Sequence, residues 1–272
     1  MSESPLVFVG IAPHPPVMVP EVGGAMANEV RASVEAMRDL AGRVKACGAE
    51  TVVLISPHAP LEERAFVAYA GARLRGDFAN FRAPQATVEA PLDGELLDAI
   101  EEAAASEGYS VVRLKARDLD HGTAVPLYFL LRGGWGGRVV ALGYSFLSNE
   151  DHVRFGRCVR RAVENVARRA AFIASGDLSH RLTPDAPAGF QPEARRFDEE
   201  VVEAIRARLP ERVVNIDQGL RRLAGECGYR SMLVAFGVCG DAEQGFEVLH
   251  YEAPFGVGYL VAQLARSNLS NP

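Results

Sequence analysis

Along almost the whole chain, short apolar runs of buried-strand length alternate with segments whose apolar residues recur at helical spacing, and this alternation restricts the fold most. Leu6-Val7-Phe8-Val9-Gly10-Ile11 reads as a first strand stopped by Pro13, and Thr51-Val52-Val53-Leu54-Ile55 as a second stopped by Pro57. Val111-Val112, Arg138 to Leu142 and Ala171 to Ala174 read as further strands, and Phe246 to Tyr251 with Val257 to Val261 as a closing pair. Between them, Val30, Val34, Met37, Ala41 and Val44 mark one face of a helix from about Asn28. Asp93 is placed to cap a helix striped by Leu96, Leu97, Ile100 and Ala104. Val159, Val163 and Val166 mark a helix from about Asp151 to Arg169, and Phe197, Val201, Ile205 and Leu209 another after Pro192. The pattern predicts one α/β domain over residues 1–272, with a central, mostly parallel or mixed sheet and helices on both faces.

Composition narrows what such a domain does. With 48% hydrophobic and 24% charged residues, it is an ordinary water-exposed globular chain. The net charge of −6 is spread along the sequence, without the clustered basic face that nucleic acid requires, so no nucleic-acid partner is expected. No apolar stretch approaches the roughly 20 residues of a membrane helix, and no membrane association is expected. The N-terminus lacks a basic segment and Pro13 breaks its apolar run, unlike a signal peptide. Cys47, Cys158, Cys227 and Cys239 show no CxxC spacing, which suits a reducing cytoplasm.

Three strands end in a turn that delivers an imidazole. His14 follows the first in Ala12-Pro13-His14-Pro15-Pro16, His58 the second in Ser56-Pro57-His58-Ala59-Pro60, and His180 a later one in Ser175-Gly176-Asp177-Leu178-Ser179-His180. Ligands of α/β sheets gather beyond the carboxyl ends of the strands, so the three point to a shared site, and the prolines stiffen the turns that hold them. His121 sits in Leu119-Asp120-His121-Gly122-Thr123, ahead of a helix expected near Val125-Pro126. His152 reads as solvent-facing at a helix start, and His250 as a structural residue of a strand. Pro184, Pro187 and Pro192 punctuate a long loop after His180, which reads as a lid.

Taken together, IAPHPPVMVPEVGG, LISPHAP, LDHGTAVPL, SGDLSH and ECGYRSMLV resemble the LigB-type class III extradiol dioxygenases, and most closely the branch found beside or fused to AMMECR1 domains and related to the Memo proteins. The resemblance runs from about Leu6 to Leu264. It implies a non-haem Fe(II) held by two histidines and one carboxylate, a catechol-like aromatic substrate and O2. By motif, His14 and His58 match the two ligand histidines, His180 the acid/base histidine, and His121 a further pocket histidine. The third ligand falls in Gly225-Glu226-Cys227-Gly228. Neighbouring residues of a helical turn diverge by roughly 100°, so one of the two binds. Glu226 is the first choice, completing an iron site. Cys227 is its competitor, as in Memo-like proteins, and would make a softer centre suited to Zn or Cu and to a redox role without dioxygenase activity. The resemblance also brings a homodimer and an AMMECR1-type or small-subunit partner into consideration.

Overall fold

The computed structural model describes residues 4–240 and 245–267, and its centre is built from four of the expected runs lying side by side in parallel. They are β1 (Leu6–Ala12), β2 (Thr51–Ser56), β7 (Arg138–Gly143) and β8 (Ala170–Ser175), in the order β7-β2-β8-β1. Every residue of β1, β2 and β8 is buried, which explains why these segments read as continuous apolar runs instead of alternating ones. The sheet then becomes mixed at both sides. Beyond β7 come antiparallel β3 (Phe66–Ala70) and, parallel to it, β6 (Val111–Lys115) at the edge. Beyond β1 come β10 (Tyr259–Arg266) and β9 (Glu247–Glu252), the antiparallel closing pair. A separate hairpin, β4 (Arg73–Phe78) with β5 (Ala83–Pro91), has the alternating burial of a half-covered sheet, and the sequence reading did not find it.

Helices cover both faces. On one, α2 (Arg31–Ala46) and α4 (His121–Arg132) pack with the hairpin against Val52, Leu54 and Val139. On the other, α3 (Gly94–Ser106), α5 (Asn149–Val166), α6 (Ala194–Ala207) and α9 (Tyr229–Cys239) pack against Val53, Ile55 and Phe172. Short helices α1 (Pro20–Gly23), α7 (Pro210–Val214) and α8 (Gln218–Ala224) fill the connections. Asp93 caps α3 through the Leu96 N–H, as its position predicts. No helix among the described residues is long and apolar enough to cross a membrane.

Three local expectations are corrected. The α2 helix begins at Arg31, because Gly24–Val30 forms a tighter 3-10 turn. Leu209 lies beyond α6 and is exposed, because Arg208 adopts a left-handed conformation (φ 60°) that ends the helix. His152 does not face solvent. It sits one turn before Phe155 and Val159 on the buried stripe of α5, with its ring against Phe66 and both ring nitrogens facing carbonyls, Ser148 at 2.7 Å and Ser145 at 3.1 Å.

Candidate metal centre

The order β2-β8-β1 makes neighbours of the three strands that end in histidine turns, so their C-terminal ends deliver side chains to one place. His14 and His58 meet there with their Nε2 atoms 3.0 Å apart. The ring of His121, first residue of α4, stacks on His58 with centroids 4.2 Å apart and lies 5.4 Å from that of His14. His14 is buried whereas His58 is exposed, so the site opens to solvent over His58.

A chain of hydrogen bonds sets the tautomer of His14. Pro126 lies inside α4 and has no N–H to give the carbonyl of Gly122 four residues earlier. That carbonyl instead accepts the hydroxyl proton of Ser175 at 2.5 Å. With its proton committed, Ser175 Oγ accepts from His14 Nδ1 at 2.9 Å, leaving Nε2 of the neutral ring with a lone pair aimed into the site. The helix therefore starts at His121, five residues before the proline, and not near Val125-Pro126 as the sequence pattern suggests.

Asp120 ties the other two imidazoles together without touching either. As N-cap of α4 it accepts from the Thr123 N–H at 3.1 Å, and it also accepts from Ser56 Oγ at 2.5 Å and Tyr69 at 3.0 Å. Ser56 Oγ in turn accepts from the backbone N–H of His58 at 3.1 Å. This packing needs glycine at position 122, where a Cβ would lie 2.3 Å from Ser56 Oγ.

The opposite wall comes from Asp177 and Cys227. Gly176 and Gly228 pack backbone to backbone, and a Cβ on Gly176 would lie 2.1 Å from the Gly228 Cα. Across that contact the carbonyl of Asp177 accepts from the Gly228 N–H at 3.0 Å, and the Asp177 N–H points at Cys227 Sγ at 3.3 Å. Cys227 Sγ and Asp177 Oδ2 each lie 3.7 Å from His14 Nε2, and Asp177 Oδ1 accepts the His14 backbone N–H at 3.0 Å. Glu226 turns the other way: its Oε2 accepts the Tyr229 N–H at 2.8 Å, at the start of α9. The ligand-capable groups close enough to share an ion are thus His14 with His58 and His121, and His14 with Asp177 and Cys227.

His180 stands beside them, its backbone N–H bonded to the Ala224 carbonyl at 3.0 Å and its buried Nδ1 without a partner of hydrogen-bond geometry. Behind it, buried Asp198 on α6 accepts from the Ser179 N–H at 2.9 Å and from Tyr251 at 2.8 Å, fixing the turn. The loop that follows is tied back through Leu182 N–H to Gly256 O and Gln191 N–H to Arg181 O, each at 3.0 Å.

Burial governs the protonation of the site. It holds all four imidazoles below their ordinary value, His58 at about 4, so they are neutral at pH 7. It pushes Asp177 up to about 7 and the Cys227 thiol well above its ordinary range.

Taken pairwise around His14 Nε2, the donors have separations that suit a transition metal. Bonds of about 2.1 Å to nitrogen and about 2.3 Å to sulfur, at tetrahedral angles, place two nitrogens about 3.4 Å apart and nitrogen and sulfur about 3.6 Å apart. The distances of 3.0 Å and 3.7 Å around His14 Nε2 bracket those values. Sequence reading missed the hydrogen-bonding role of Ser175 and the glycine pair. The strand-ending SGD and the proline in HGTAVP were the available signals.

Residues 9–262 match the family described as the catalytic LigB subunit of aromatic ring-opening dioxygenase. The chain is 36% identical over 264 residues to the protein CA_C1420 of Clostridium acetobutylicum, covering 93% of this chain and 56% of that one. It thus spans about half the length of the curated relative it matches. The solved structure of an uncharacterized protein of Escherichia coli K12, JW3007, shares the fold with a TM-score of 0.65 at 17% identity, over 95% of this chain and 100% of that one.

Proposed function

Because the chain belongs to the family of catalytic LigB subunits of aromatic ring-opening dioxygenases, we propose that it is a metal-dependent redox protein whose ion sits at His14, the residue the two donor groups share, and takes His58 from one group and Cys227 from the other, a Memo-like centre within that family. The observation that carries this reading is the position of the thiol. Cys227 Sγ lies 3.7 Å from His14 Nε2, whereas the carboxylate of Glu226 is engaged by the Tyr229 N–H. A bound iron or copper ion would supply Lewis acidity and one-electron chemistry with O2.

The chain's own groups divide the remaining work. Cys227 must give up its proton to bind, and the Asp177 N–H aimed at Sγ stabilises the resulting thiolate. Ser175 keeps the His14 lone pair facing the ion. His180 is neutral at pH 7 and accepts a proton from a substrate hydroxyl, with His121 as the second imidazole at the mouth.

A second reading rests on Asp177. Its Oδ2, 3.7 Å from His14 Nε2, completes a two-histidine, one-carboxylate set of the kind Fe(II) oxygenases use. In that case the chain is an extradiol ring-cleavage dioxygenase taking a catechol-like substrate and O2, with His180 as general base and then acid.

Metal content and oxygen uptake separate the two. On the first reading Cys227→Ser loses the metal and Glu226→Gln retains it, and catechols yield no ring-fission chromophore. Oxygen uptake with a yellow product from Fe(II)-loaded protein, undiminished in Cys227→Ser, would establish the second. Zinc retained at full occupancy without any redox activity would contradict both.

A further inference from the structure

Three arginines on the segments that carry His180 and Cys227 lack the carboxylate partners that several arginines elsewhere have. Arg43, Arg113, Arg160, Arg168 and Arg212 are each ion-paired with a carboxylate. Arg181, Arg221 and Arg230 have none among the described residues, and each has a buried Nε without a hydrogen-bond acceptor. The three come from two segments that meet where the His180 N–H bonds to Ala224. Arg181 follows His180 and reaches Gly225, its Nε 3.2 Å from the position a Cβ would take there. Arg221 lies over the ring of Tyr229 at 4.1 Å. Arg230, three residues after Cys227, lies 5.7 Å from the centre of the Tyr144 ring, whose hydroxyl reaches the Cys227 carbonyl at 3.5 Å, and 5.5 Å from that of exposed Phe146. Burial pushes the carboxyl of nearby Glu226 up, while the Tyr229 N–H and the charges of Arg221 and Arg230 pull it down; it forms no ion pair with either and spends an oxygen on Tyr229.

Leaving a buried guanidinium nitrogen without an acceptor costs stability, and a chain of net charge −6 has carboxylates to spare. Three such nitrogens beside one centre therefore mark where an acceptor comes from outside. We propose that Arg230, with Arg221 and Arg181, forms an oxyanion subsite next to the metal centre that takes the carboxylate or phosphate of a small substrate. Aromatic rings beneath Arg221 and Arg230 hold the guanidinium planes in place, so binding costs less side-chain order. The subsite adds a charged substrate class to the proposed metal-dependent activity. Its test is independent of that activity.

Inorganic phosphate and benzoate are titrated calorimetrically into the full-length protein at low ionic strength, as isolated and after chelation, with metal content and thermal melting measured on each sample. The expected result is saturable one-to-one binding of at least one anion that survives chelation. The tighter of the two identifies phosphate or carboxylate as the group recognised. Arg230→Gln weakens it about tenfold or more, and Arg230→Lys restores part of it. Arg221→Gln carries the same expectation should Arg230→Gln melt at room temperature. No saturable binding by the wild type, binding lost on chelation, or unchanged binding in both glutamine variants would overturn the subsite. Anion binding by a protein that takes up no metal would instead overturn the metal reading alone.

Discussion

On one side of the centre, Ser175 orients the His14 ring, and hydrogen bonds through Ser56 and Asp120 hold the turns that carry His58 and His121. On the other, Asp177 and Cys227 are brought together by two glycines packed backbone to backbone. The first arrangement specifies a tautomer and a ring direction. The second specifies only proximity, and it depends on the absence of side chains. Damage should therefore differ in kind: removing atoms harms the histidine side, and adding them harms the glycine side.

The largest effect is expected where both sides meet. Among the described residues, His14 is the one close to Cys227, Asp177 and His58 alike, so His14→Ala should lower metal affinity about 100-fold or more, read as metal content after gel filtration. Retention of a full equivalent would place the ion elsewhere. Next comes Gly176→Ala, whose Cβ has no room against Gly228. It should destabilise the fold by about 1–3 kcal/mol and lower metal content with it, as seen in chemical denaturation. A wild-type unfolding curve would mean that the glycine contact does not constrain the Cys227 turn.

Ser175→Ala should act in the opposite manner. It removes the acceptor of His14 Nδ1, releases the tautomer and lowers metal affinity about tenfold, with little change in fold beyond the Gly122 carbonyl left unpaired. If it unfolds the protein without altering affinity, the two sides do not differ as described.

The smallest effect concerns Asp198, which backs the His180 turn. Burial pushes its folded pKa up to about 7, above the ordinary carboxylate value near 3.8. Between those values the folded state holds a proton that the unfolded state releases, so this group makes stability fall as pH rises from about 4 to about 7. Asp198→Asn lacks that dependence. Its melting temperature relative to wild type should climb across this window and level off above it. A constant difference from pH 4 to pH 8 would contradict the assignment.

The same contrast decides what the sequence makes legible. The parallel core was readable because β1, β2 and β8 are buried on both faces, and the Pro-His turns were readable because they follow those strands directly. Edge strand β6 and the β4–β5 hairpin carry weaker patterns, since one face of each meets water and their pairing is set by tertiary contacts. His152 was misjudged because proximity to a helix start outweighed its place on the stripe of Phe155 and Val159. Between Glu226 and Cys227, composition offers no decision. Which of the two side chains faces His14 depends on how a single turn is held, by Gly228 against Gly176 and by the Tyr229 N–H on the Glu226 carboxylate.

X-ray absorption at the edge of the bound metal tests the central claim most directly. Cys227 as ligand predicts one sulfur scatterer at about 2.3 Å beside nitrogen neighbours at about 2.0–2.1 Å, lost in Cys227→Ser and kept in Glu226→Gln. A first shell of nitrogen and oxygen alone in the wild type would contradict it and assign the third position to a carboxylate.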